Sequence, residues 1–129
     1  IAQLSEDFPF QGYTEGAENR AITFQQLRTV TCYAQAKCEL WLDNNGKQCS
    51  FDSLNLYDLN TWVIRPATKT CDCAFLELLT SSIQTPSFFI SHWWGEAIVH
   101  FLECVALHVE TRGLSDSSTF WICAYANRQ

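Results

Sequence analysis

The stretch Phe88-Phe89-Ile90-Ser91-His92-Trp93-Trp94-Gly95-Glu96, with the segments 97–111 and 120–125 that follow it, decides how this chain is read. Its first three residues form an apolar run too short for a helix and rich in Phe and Ile, which favours a strand. In 97–111 the apolar residues Ile98, Phe101, Leu102, Val105 and Val109 fall three or four apart, on one stripe of a helix. Arg112 and Gly113 follow, where a cation and a left-handed residue are both favoured. The apolar run 120–125 reads as a second strand. A strand, a crossover helix and a strand predict a right-handed parallel pair. In such units ligands gather where the carboxyl ends of the strands meet the following loops, so residues 91–96 mark the predicted site.

With 129 residues the chain has room for one domain and its core. Hydrophobic residues make up 47% and charged ones 17%, a globular balance. The net charge of −6, with no basic cluster to offset it, argues against nucleic acid or an anionic membrane surface as the main partner. No apolar run of about 18 residues is present, so no transmembrane segment is expected. The chain opens at Ile1 and holds no methionine, which suggests a processed or trimmed N-terminus. Seven cysteines leave an odd one if the others bridge. Disulfides would fit a small secreted domain. Yet Cys32, Cys104 and Cys123 sit where an apolar residue would, which favours mostly reduced thiols and an intracellular reducing compartment.

Residues 1–21 are polar and aperiodic and read as an extended arm, leaving 22–129 as a single α/β domain. Thr23 with Gln26 resembles a capping box, and Leu27, Val30 and Ala34 continue a helix over 24–38. Asp43-Asn44-Asn45-Gly46 reads as the turn of a short hairpin. It is an incomplete calcium loop, because Lys47 and Cys49 stand where oxygen ligands are needed and no glutamate closes it. Residues 55–60 read as a turn or single helical turn, and Trp62-Val63-Ile64 as an extended piece stopped by Pro66. Asp72 is placed to cap a helix through Ala74, Phe75, Leu78 and Leu79.

Residues 91–96 combine a serine, a histidine, a carboxylate and two indoles. One reading makes His92 or Glu96 an acid or base, with helix-start amides holding an anion. The other is local: Ser91 and Glu96 satisfy backbone groups and the tryptophans pack on the sheet edge. His100, Cys104 and His108 recur at intervals of four, a spacing that suits metal ligands, but helix packing explains it better. Cys71-Asp72-Cys73, with Cys32, Cys38 and Cys49 upstream, could hold a metal, a disulfide or a redox pair; capping and packing explain it better. No catalytic residue, metal site or cofactor is assigned.

Asn55-Leu56-Tyr57-Asp58, Trp62-Val63-Ile64, Pro66-Ala67-Thr68, the string from Ser91 to Glu96, and Cys123-Ala124-Tyr125-Ala126-Asn127 together resemble an uncharacterised family abundant in dinoflagellate algae. More distantly, the apolar strand followed by Ser91 and then Gly95-Glu96 is similar to the opening of TIR domains, with one extra residue before the glycine and His92-Trp93-Trp94 in place of an aromatic-arginine pair. The resemblance implies a small, mainly parallel, incomplete sheet with helices, of TIR-like or flavodoxin-like kind, preceded by a helix and hairpin region. It also implies that the chain is the N-terminal part of a longer domain or a shortened relative. The catalytic glutamate of NAD-cleaving TIR domains would then lie beyond Gln129. Ser91, His92, Trp93, Trp94, Gly95 and Glu96 are the ligand-binding candidates, and Asn127, in the last matching stretch, is taken with them. An open two-stranded sheet needs cover. The expected role is therefore a non-catalytic interaction or assembly module covered by a protein partner or the remainder of its domain. An extrinsic subunit of a larger algal complex, plastidic or peripheral to a membrane, is one form of it. The alternative is a nucleotide (NAD-type) hydrolase domain.

Overall fold

The structure, a computed structural model, describes residues 2–128. Its helices are α1 (Ala2–Asp7), α2 (Phe24–Lys37), α3 (Leu56–Leu59), α4 (Arg65–Thr68), α5 (Ile98–Thr111) and α6 (Cys123–Ala126). Its strands are β1 (Ile22–Thr23), β2 (Phe88–Ile90) and β3 (Thr119–Ile122), in the order β1-β3-β2. The parallel pair is present: Phe88 lies opposite Phe120 and Ile90 opposite Ile122, with α5 as the crossover. The class is thus mixed α/β. The expectation of a mainly parallel, two-stranded sheet is corrected by β1, which pairs antiparallel with β3 through Ile22 and Phe120. At two residues long and running straight into α2, β1 carries no period of its own.

The sheet has two unlike faces. Phe88 and Phe120 stack at 5.6 Å, and the His108 ring of α5 meets Phe88 edge-on at 4.8 Å. Phe89 and Trp121 alternate to the other face, where the Trp121 indole donates to the Ala17 carbonyl at 2.9 Å while Phe89 stays 72% exposed. Helix α2 packs on α5 and starts as its sequence indicates. The Thr23 hydroxyl accepts from the Gln26 amide at 3.0 Å, and the Gln26 side chain accepts from the Thr23 amide at 2.9 Å.

Four further expectations are corrected. Residues 2–7 are helical rather than extended. Phe8 behind them is buried against Tyr33 at 4.7 Å and Phe75 at 5.0 Å, so the arm is docked. Trp62-Val63-Ile64 is not extended: Asn60–Ile64 forms a π-turn that joins α3 to α4 through Pro66. A proline ring clashes with the carbonyl four residues back in an α-helix. Here the Arg65 amide reaches back five residues to the Asn60 carbonyl. Burial of Leu56, Leu59, Val63 and Ile64 on one side then outweighs the proline. The 120–125 run leaves the sheet after Ile122 and turns into α6, so Cys123 is helical. Asp72 caps nothing; it sits in a turn at φ 50°, and only a short 3₁₀ turn, Phe75–Leu78, follows.

That 3₁₀ turn places Glu77, whose side chain has no exposed surface. Its Oε1 accepts from the Ala74 amide at 2.8 Å and from Arg128 Nε at 3.1 Å. Its Oε2 accepts from the Thr14 amide at 2.6 Å and from Arg128 Nη2 at 2.9 Å, and Arg20 Nη1 lies 3.6 Å from Oε1. Burial alone would raise the Glu77 pKa, but the bonds from Arg128, Ala74 and Thr14 outweigh it and hold the carboxyl below 4.5. Its stabilising effect is therefore complete above the unfolded value and lost as pH falls through the lower native one. Glu77→Gln should lower unfolding free energy by about 3 kcal/mol, or roughly 10 °C in Tm. It should also flatten the acid limb of the stability curve, as measured by urea unfolding at a series of pH values.

Candidate functional site

The loop 91–96 leaves the carboxyl end of β2 and is tied to the segment before α3. The Leu56 amide donates to the Trp94 carbonyl at 3.0 Å, the Ile98 amide to Leu54 at 2.8 Å, and Asn55 bridges Ala97. The Glu96 amide closes the turn on the Trp93 carbonyl at 3.1 Å. Trp94 packs on Tyr57 at 5.6 Å. Trp93 is 73% exposed and folds back across Gly95, where a Cβ would run into the indole.

Chemistry in this loop is set by where its polar groups point. His92 stacks on Phe101 at 3.9 Å, and both ring nitrogens are buried with no hydrogen-bond partner among the described residues. Burial lowers its pKa below 6.5, against the smaller pull of Glu96, so the ring is neutral at physiological pH. Ser91 is exposed and is not hydrogen-bonded to that ring. Neither Ser91 nor Glu96 caps α5, whose N-cap is Ala97 without a side-chain bond. The amides of Ile98, His100 and Phe101 are taken by the carbonyls of Leu54 and Ala97. Asn127 is exposed beyond α6, and its neighbour Arg128 bridges Ala74 and turns the chain toward Glu77. The loop's residues are thus held together, and Asn127 leads elsewhere.

The other candidates also find places. His108 is half-buried against Phe88, whereas His100 and Cys104 are exposed. Among the described residues no group of three His, Cys, Asp or Glu is arranged to hold a metal ion. All seven cysteines are free. Burial pushes the thiols of Cys38 and Cys49 up, and that of Cys73 up to about 11, which keeps them protonated and weakly nucleophilic near neutrality.

Two concavities accompany the loop. A groove of about 250 Å³ between β2 and α5 is lined by Phe88, Phe89, Ile90, Phe101, Cys104 and His108 among others. A polar hollow of about 350 Å³ lies between the 43–48 hairpin and α3. Sequence reasoning missed the hollow, because Asp43 and Asn45 read there as part of a hairpin turn and Asn55 and Asp58 as part of a turn or single helical turn. The only signal was the density of carboxylate and amide side chains around Tyr57.

The orphaned imidazole has a measurable consequence. A histidine kept neutral by burial stabilises the fold fully above its unfolded pKa of 6.5, and the effect fades as pH falls below it toward the native value. His92→Phe keeps the stack on Phe101 and removes two unsatisfied nitrogens. It should be at least as stable as the parent at pH 7 and lose less stability between pH 7 and 5. Chemical denaturation over that range, with NMR titration of His92, checks this. Compared with protein-family models, with curated proteins and with solved structures, the chain matches none.

Proposed function

We propose that the chain is a non-catalytic protein-interaction module whose sheet is extended by a strand from a partner protein laid along β2. The observation that carries this reading is the position of β2. It stands at the sheet edge, pairs among the described residues only with β3, and presents Phe89 at 72% exposure. An edge strand presents unpaired backbone N–H and C=O groups that invite pairing, and natural proteins blunt such edges by short length, charge, proline or cover. The three residues of β2 carry no charge and no proline. The groove beside them would take the side chains of an added strand, while backbone bonds would supply affinity. In this reading the β2-α5-β3 unit opens a TIR-like or flavodoxin-like sheet, and the partner strand stands where the next strand of such a sheet would. The hydrolase alternative would need the polar groups of 91–96 turned outward together, whereas His92 faces Phe101.

Selection from a displayed library of extended peptides, followed by NMR mapping, tests the proposal. Selected peptides should shift the amides of residues 88–90 and 101–108. Phe89→Lys should weaken them about tenfold or more while leaving Tm within a degree or two, since the side chain is exposed. Peptides that map away from β2, or bind Phe89→Lys unchanged, would overturn it.

A further inference from the structure

We infer that the hollow between the 43–48 hairpin and α3 is a binding site for an uncharged sugar. Its volume, about 350 Å³, falls within the range of small-molecule sites. Its wall alternates acceptors and donors. Asp43 spends Oδ1 on the amides of Asn45 and Lys47, each at 2.9 Å, and Asp58 spends Oδ2 on the Asn55 amide at 3.2 Å. The second oxygen of each carboxylate has no partner among the described residues. The side-chain amides of Asn44 and Asn45 have none either. Asn55 gives its oxygen to the Asp58 amide at 3.1 Å and keeps its NH₂. A sugar hydroxyl both donates and accepts, so neighbouring hydroxyls are matched by such a mixture of carboxylates and amides.

An aromatic ring stands beside this polar wall. Tyr57 lines the hollow at 50% exposure, and its ring is braced by Trp94 at 5.6 Å. A fixed, half-exposed ring offers a flat face to the C–H side of a pyranose, while the polar wall takes its hydroxyls. Two carboxylates, Asp43 and Asp58, against the single cation Lys47 leave the lining with a net negative charge, which disfavours anions. Burial, and secondarily the charge of Asp43, push the Asp58 carboxyl up against the opposing Asn55 amide. A phosphate or carboxylate would add to that repulsion, and a neutral polyol adds none. The hollow shares no lining residue with the groove at β2, so this inference does not rest on the partner reading.

Titration of ¹⁵N-labelled protein with glucose, galactose, mannose, N-acetylglucosamine and the β-1,4-linked dimers of glucose and N-acetylglucosamine tests it. At least one sugar should bind saturably, with Kd roughly millimolar or tighter, and should shift amides within 43–48 and 55–58. Tyr57→Ala should weaken binding about tenfold and Tyr57→Phe by much less. Asn44→Ala, an exposed side chain without partners, should cost roughly three- to tenfold with an unchanged melting curve. Phe89→Lys should bind sugar as the parent does. Absence of saturable shifts at those amides with every sugar, or equal affinity in Tyr57→Ala and Asn44→Ala, would overturn the inference.

Discussion

An ionised carboxylate without solvent is tolerated only if its charge is answered and its lone pairs are filled, and Glu77 imposes that demand on three distant parts of the chain. The Thr14 amide fixes the course of the N-terminal arm, the Ala74 amide closes the 3₁₀ turn, and Arg128 has to return from the sheet to make its two bonds. The departure of 123–126 from an extended path follows from this. A strand continued past Ile122 would carry Arg128 away, whereas one helical turn brings it back and seats Tyr125 against Phe75 at 6.1 Å. Arg20 completes the group by charge rather than by hydrogen bonding, since its Nε and Nη1 have no hydrogen-bond partner among the described residues.

What could be read from residue order was what is local. The stripe on α5, the Thr23–Gln26 cap and the Asn-Gly turn each lie within a few residues, and each took the form that its spacing indicates. The parallel pairing of the two apolar runs followed from the helix between them. The failures were set by contacts at long range. Strand β1 exists because Ile22 meets Phe120, 98 residues further along the chain. The extended reading of Trp62-Val63-Ile64 weighed Pro66 alone. It missed the helical spacing of Leu56, Leu59 and Val63, which bury together once a π-turn absorbs the proline.

The candidate site divides in the same way. That a loop of mixed chemistry would stand at the end of β2 was legible, because strand and helix patterns flank it. The direction of His92 was not, since it depends on an apolar ring on the next element that offers no polar partner. Seen in three dimensions, the loop acts first as a splint. Its backbone bonds to Leu54 and Leu56 couple the sheet to the hairpin and α3 half of the molecule, and Trp94 steadies Tyr57 across that joint. The two concavities lie on either side of this connection and share no lining residue.

The middle strand of the sheet is also the last of the three in the chain, and this sets an order of events during synthesis. Until residues 119–122 leave the ribosome, neither Ile22–Thr23 nor Phe88–Ile90 has its partner, and both wait as unsatisfied edges. Closing so long a loop is entropically slow compared with forming the two long helices. A nascent chain halted before Thr119 would therefore hold helices but no sheet, with an aromatic segment exposed to chaperones and to neighbouring chains.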